Sequence, residues 1–320
     1  MRFNPFNFMP VFKIHHITKY AYNRPVIESV NQVRIFPVAS PQQEILQHEV
    51  VITDAPELFF FLDYWGNRCA DFSLPEPHKE LSIDSRLIVR TTSAEEPPFI
   101  NTFLSELQPI IEKDFQLLDL SKTEEIKSSA AIDDILASIN TADKTVMQLV
   151  KDCSSFIYHQ FKYIKGITNI ETTVDEILEH RSGVCQDFAH VLLQLLRRLG
   201  IPSRYVSGYI CPNKNGMRGE GATHAWVEAF VPGYGWAGID PTNNVWVTNH
   251  HVKLAVGRNF NDCSPMKGTF KGISRQTLSV YVSVGYEDGH VFEEVNDVEM
   301  EVTELAVTAD LLAAEEAQQQ

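Results

Sequence analysis

Nowhere in these 320 residues is there an apolar run approaching the roughly 18 needed to span a membrane as a helix. Basic clusters are absent too. Lys and Arg number 27 against 42 Asp and Glu, for a net charge of -15. Such a chain has no general electrostatic footprint for nucleic acid or anionic lipid, so neither is expected as a partner. Cysteine is scarce. Cys69, Cys153, Cys185, Cys211 and Cys263 are widely spaced, odd in number and without a CxxC pair. That excludes a disulfide framework or a zinc ribbon, and it fits a reducing, cytoplasmic location. The opening MRFNPFNFMPVFKIHH has no continuous apolar stretch or small-residue cleavage site, so it does not read as a signal peptide. No acidic loop of the DxDxDG kind occurs, and calcium is not expected. The pairs His15-His16 and His250-His251 are adjacent residues. On a strand, neighbours face opposite ways, so neither pair chelates easily. No metal and no cofactor are expected.

Hydrophobic residues make up 44% and charged residues 22%, as in an ordinary globular protein of about two domains. Residues 11–95 read as an all-β sandwich or barrel. VFKIHHITKYAY, SVNQVRIFPVA, ILQHEVVIT, LFFFLDYWGN and LSIDSRLIVRTT are strand-like, and NRP, SPQQ, WGN and PEPHK separate them as turns. The character changes near Glu95–Pro98. Residues 96–144 form a helical connection, 145–290 mix helices and strands, and 291–320 are an acidic tail. The last ~20 residues of that tail suit a frayed helix or a disordered segment.

Within RSGVCQDFAHVLLQLLRRLGIPSRYVSGYI, Val184, Phe188, Val191, Leu192, Leu195, Leu196 and Leu199 recur at helical spacing. Gly200 and Ile-Pro stop the helix, and Ser182 and Gly183 are candidate caps. Cys185 then lies in the first turn, where free N–H groups and the helix dipole favour a thiolate. The Cys185 N–H can also hold a developing oxyanion. A second donor is expected there, and the sequence assigns no residue to it. A lone cysteine is as readily a small buried hydrophobe.

The segment GATHAWVEAFVPGYGWAGIDPTNN is a β-hairpin, with His224 opening one strand and Asp240 closing the other. Register decides whether they meet. Pairing Val231 with Trp236 puts them on opposite faces. A three- or five-residue loop centred on Gly233 sets Asp240 opposite Trp226, and His224 and Asp240 become diagonal neighbours. A thiol needs a base that can later protonate the leaving amine, and imidazole titrates in the right range. A carboxylate would orient that imidazole. Taken singly, His224 reads as a hydrogen-bonded strand residue and Asp240 as a turn residue before proline. Trp226, Trp236 and Trp246 could line a substrate groove or fill the core. Asp187 suits a helix-start cap and His190 a packed or hydrogen-bonded position.

GVCQDFAH, RYVSGY, HAWVEAF and GWAGIDPTNN together resemble the core of bacterial transglutaminase-like proteins, a branch of the papain-like cysteine enzymes. FKYIKGITNIETTVDEILEHRSG before the cysteine and GRNFNDCSPMKGTFKG after the aspartate extend the likeness. The front segment FKIHHITKYAYNRPV, with WGN further on, is similar to the β-domain that often precedes this core, so the resemblance spans about residues 12–290. It implies an α+β fold in which a cysteine-bearing helix packs on an antiparallel sheet, behind an all-β N-terminal domain. It also implies a Cys-His-Asp triad at Cys185, His224 and Asp240. The activities it implies are peptide, isopeptide or amide hydrolysis, and acyl transfer from glutamine to an amine. Hydrolysis of a peptide or protein is the first expectation, transamidation the second, and a non-catalytic binding module on the same fold the third.

Overall fold

The computed structural model describes residues 9–37, 39–92, 96–168, 172–211, 217–219, 222–287, 291–292 and 300–302. The expectations for the leader at 1–8, the exact linker at 93–95 and the tail at 303–320 lie outside the described residues. The front half supplies β1 (Val11–Val26), β2 (Glu28–Phe36), β3 (Gln43–Ile52), β4 (Phe59–Leu62), β5 (Arg68–Leu74) and β6 (His78–Thr91). Helices α1 (Gln108–Ile111), α2 (Phe115–Leu120), α3 (Ser129–Ile139) and α4 (Val146–Gln160) follow. Then come β7 (Lys162–Tyr163), α5 (Val174–His180), β8 (Ser182–Gly183) and α6 (Cys185–Arg198). The sequence goes on with β9 (Ser203–Ile210), β10 (Thr223–Val231), β11 (Gly235–Asp240), β12 (Val245–Trp246), β13 (His251–Gly257) and α7 (Phe260–Cys263). It closes with β14 (Met266–Lys271), β15 (Gln276–Tyr286), β16 (Val291–Phe292) and β17 (Met300–Val302). No helix among the described residues is long and apolar enough to cross a membrane.

The architecture is α+β. The core sheet is antiparallel in the order β12-β11-β10-β9-β13. One face, with Ala225, Val227, Ala229, Val231, Ala237 and Ile239, packs on the apolar stripe of α6 and on α4. Phe188, Val191, Leu192, Leu195 and Leu196 of α6 are fully buried there. Each such side chain contributes about 2 kcal/mol of transfer free energy, so the stripe is what fixes the helix on the sheet. Thr145 caps α4 by accepting from the Gln148 N–H, which ends the polar connection and starts the helix. Gly200 closes α6 at φ +76, a conformation glycine takes without strain, and its N–H donates to the Arg197 carbonyl.

The front half is two antiparallel sheets around a core that includes Val33, Phe36, Phe72, Leu81 and Ile83. Their orders are β16-β15-β1-β6-β3, with β17 also on β15, and β14-β2-β5-β4. Two corrections follow. The stretch from 266 to 286, assigned by sequence to the second domain, pairs instead with the front strands: β14 with β2, and β15 along most of β1. The beginning of the acidic tail also adds strands, β16 and β17, to β15. Strand periodicity reveals a buried face but not the partner, which is why neither pairing was visible. The connection is more broken than expected as well: 104–106, 108–111 and 115–120 are separate short turns, with Pro109 in the first turn of α1 and Asp114 capping α2. Phe12, Ile14, Leu87 and Val89 of the front sheet pack against Tyr209, Val252 and Leu254 of the core sheet.

Candidate active site

α6 begins at Cys185, and its cap position is Val184. Ser182 and Gly183, the expected caps, form β8 beside β7 instead. The capping group is Asp187, whose Oδ2 accepts the Val184 N–H at 2.7 Å and the Thr168 hydroxyl at 2.6 Å. A Cβ on Gly183 would sit 2.5 Å from that oxygen, so only glycine fits there. Burial pushes the Asp187 carboxyl up, while its two hydrogen bonds oppose the shift. Phe188 is the first helix residue to donate back, to the Val184 carbonyl. The Cys185 N–H therefore stays outside the helix ladder, with the positive end of the dipole behind it. Cys185 is partly exposed, whereas the other four thiols are buried. Burial pushes Cys69 up to about 11 and Cys153 to about 12, and holds Cys211 and Cys263 well above an ordinary thiol.

The hairpin has a three-residue loop. Val231 pairs with Gly235 and Val227 with Ile239, which places Asp240 in register with Trp226. His224 and Asp240 thus share a face, and His224 Nε2 lies 2.9 Å from Asp240 Oδ2. Both side chains are fully buried. The turn role of Asp240 is met by its other oxygen: Oδ1 accepts the backbone N–H of Thr242 at 2.9 Å and of Asn243 at 3.3 Å. Asn243 Nδ2 donates to Oδ2 at 2.7 Å. Burial would raise this carboxyl, but His224 and the donors around it hold it far below the usual range. Burial likewise disfavours charge on His224. The Asp240 carboxylate and Cys185 outweigh it, and the imidazole is pushed up to about 10. Nε2 is taken by Asp240. Nδ1 is buried with no nitrogen or oxygen partner among the described residues, and it is the ring atom left for the Cys185 thiol.

Three further residues complete the arrangement; the sequence raised only His251 among them, as half of an adjacent pair unsuited to chelation. Gly219 crosses the imidazole at φ +77, and a Cβ there would lie 3.1 Å from Nδ1. Asn243 Oδ1 takes the Arg218 N–H at 2.7 Å, tying this crossing segment to Asp240. His251 Nε2 lies 3.3 Å from Asp240 Oδ2. The ligand atoms of His224, Asp240 and His251 all fall within 4.8 Å of one another, the composition of a two-His, one-carboxylate metal set. The Thr248 N–H donates to His251 Nδ1 at 3.2 Å, however, so the neutral ring carries its proton on Nε2. His251 therefore presents Asp240 with a donor, not a lone pair. The other histidines have separate roles. His15 meets Asp84 and His16 meets the Tyr209 hydroxyl, each at 2.9 Å. His190 accepts the Phe260 N–H at 3.3 Å, and burial lowers it to about 4.

The tryptophans divide. Trp226 is 1% exposed and edge-on to His251 at 5.2 Å. Trp236 is half-buried beneath the Arg204 guanidinium at 4.2 Å. Trp246 is half-buried at the margin of the main core. Trp226, Trp236 and His251 also border a cavity of about 250 Å³ between the core sheet and Ser40, Gln42, Gln43 and Thr92 of the front half. Cys185 is not among its lining residues.

Residues 12–90 match the bacterial transglutaminase-like N-terminal region, and residues 133–241 match the transglutaminase-like superfamily. An uncharacterised protein of Mycobacterium leprae is 33% identical over 278 residues, covering 85% of this chain and 97% of that protein. An uncharacterised protein of Mycobacterium tuberculosis is 32% identical over 277 residues, 80% of this chain and 86% of its own length. A protein-glutamine gamma-glutamyltransferase of Pseudomonas aeruginosa is 36% identical over 83 residues, which are 24% of this chain and 12% of that protein. The solved chain called "Putative Cysteine Protease from Cytophaga hutchinsonii" shares the fold. Its TM-score is 0.69 at 22% identity, covering 91% of this chain and 96% of that one.

Proposed function

The chain belongs to the transglutaminase-like superfamily, and we propose that within it the protein is a cysteine-dependent hydrolase of peptide or isopeptide amides. The observation that carries this reading is the orientation of His224: Nε2 is held by a buried carboxylate, Nδ1 has no nitrogen or oxygen partner among the described residues, and Cys185, the one partly exposed thiol, acts on the ring.

His224 Nδ1 takes the proton of the Cys185 thiol, and the sulfur attacks the amide carbon. The carbonyl oxygen becomes an oxyanion held by the Cys185 N–H at the helix start. As the C–N bond breaks, the imidazolium returns the proton to the leaving amine, and a thioester remains on Cys185. Water then gives a proton to His224 and attacks the thioester, releasing a carboxylic acid and the thiol. Asp240 stays ionised throughout and supports the imidazolium. A cytoplasmic setting, where five unpaired thiols would persist, suits this chemistry.

Transamidation is the second reading, favoured by the likeness to the Pseudomonas glutamyltransferase. There an amine replaces water and ammonia is the leaving group. The test incubates wild type and Cys185→Ala with a glutamine-containing peptide library, with and without a primary amine, followed by mass spectrometry. New peptide termini lost in the variant support hydrolysis. Amine-adducted glutamine lost in the variant supports transamidation. No product from either protein, with an inert Cys185, would leave a binding module on an enzyme fold.

A further inference from the structure

We infer that His251 is a positioning residue for His224, acting through the Asp240 carboxylate that the two imidazoles share. The inference rests on the thiol mechanism proposed above. His251 heads β13, which β9 and β10 separate from the Asp240 strand. Gly208 on β9 leaves the intervening face bare. A Cβ there would lie 2.6 Å from the Trp226 ring and 2.1 Å from the Val252 carbonyl oxygen. With that space free, Trp226 and His251 pack against each other beside Asp240.

The tautomer then decides what His251 does. The Thr248 N–H occupies Nδ1, so Nε2–H is directed to Asp240 Oδ2. That oxygen accepts from His224, His251 and Asn243, while Oδ1 accepts two backbone N–H groups. Of these five donors, only His224 exchanges a proton in the reaction. Each of the others draws charge from the carboxylate and so loosens its hold on the imidazolium. His251 competes for the same oxygen. It leaves the imidazolium stable enough to pair with a thiolate, yet willing to release its proton to a leaving amine.

Other charged groups nearby are already occupied. Glu228, on the same face of β10, is paired with Arg204 at 2.6 Å and with Lys253 at 2.6 Å. The front-half wall of the cavity that His251 borders is Ser40, Gln42, Gln43, Thr92 and Pro97, none of which titrates. Beyond His224 lies Cys185. Asp240 is thus the group through which His251 reaches the reacting atoms.

The test needs no substrate. Iodoacetate, an anion, alkylates Cys185 fastest while the neighbouring imidazolium keeps its proton, so the rate falls on the alkaline side as that proton leaves. In His251→Leu the alkaline limb should move up by about one pH unit, the scale of one lost charge-assisted hydrogen bond. In His251→Gln, whose amide N–H can reach the same oxygen, it should return towards wild type. If His251→Leu does not fold, His251→Asn, too short to reach Asp240, carries the same expectation. A limb that stays in place while only the plateau rate or the melting temperature changes would reduce His251 to a packing role. A limb that moves down would overturn the inference as well. A wild-type Cys185 with no imidazolium-dependent plateau would remove the thiol mechanism and this inference together, whereas a normal wild-type plateau with an unmoved variant removes His251 alone.

Discussion

Gln43 of the front half pairs with both the backbone N–H and the backbone carbonyl of Lys253 in the core sheet. Its amide accepts the Lys253 N–H at 2.9 Å and donates to the Lys253 carbonyl at 2.8 Å. Asn67 treats Val256 the same way, at 2.8 and 2.7 Å. β13 is an edge strand, and these two side chains take the place of a neighbouring strand along it. Gln43→Ala leaves the Lys253 N–H and C=O without that partner, and should cost about 2 kcal/mol in urea unfolding. An unchanged midpoint would mean that water replaces the amide without loss.

Cys185 and Asp240 should differ in how much they matter. Cys185→Ala should abolish both alkylation and turnover. Asp240→Asn should leave the fold but lower turnover by roughly 10³-fold, because the imidazole loses its fixed tautomer and the charge behind it. Steady-state kinetics should place that loss in kcat, with KM little altered. A loss confined to KM would point to a substrate-binding role for Asp240.

Stability should follow pH in a particular way. The Asp240 carboxyl is depressed by folding, so its contribution is present above about pH 4 and fades as pH falls towards the folded value. His224 is raised to about 10. Its contribution is complete below about pH 6.5 and is lost as pH climbs through about 10. The stability difference between wild type and Asp240→Asn should therefore peak between about pH 4 and 6.5 and shrink towards pH 10. Urea unfolding at a series of pH values measures it. A difference that grows through the alkaline range contradicts the charged pair.

Two glycines should resist alanine for different reasons. Gly208→Ala drives a methyl into the Val252 carbonyl and the Trp226 ring, and should cost about 3 kcal/mol or more. Gly219→Ala adds a left-handed backbone penalty of about 1 kcal/mol and crowds His224 Nδ1. Its stability should fall by no more than that penalty, while Cys185 alkylation slows. Equal losses in both properties for both variants would show that Gly219 has no special relation to the imidazole.

How far the sequence could be read depended on the range of the signal. The helical spacing of Phe188, Val191, Leu192 and Leu195 placed Cys185 at a helix start, because a buried stripe is a local pattern. The hairpin brought His224 and Asp240 within a single loop length of each other, so register alone decided their meeting. His251 gave no such signal. It follows Asp240 by eleven positions, but it reaches Asp240 only across β9 and β10, and nothing in NHHVKL reveals that crossing. Trp226 read equally as groove or core, because an aromatic on an alternating strand says which face it occupies, not what covers the face. Gly219 and Asn243 sat in turn-rich stretches where many roles look alike.

The long ladder between β1 and β15 joins segments some 260 positions apart. A ribosome releases β1 early and β15 late, so the front sheet waits, with one edge open, until nearly everything between has been made. Closing so distant a pair is slow, and an open edge rich in Ile, Tyr and Val is an invitation to the wrong neighbour in the meantime. The helical core around Cys185, assembled from contacts much closer in sequence, does not have to wait for that closure.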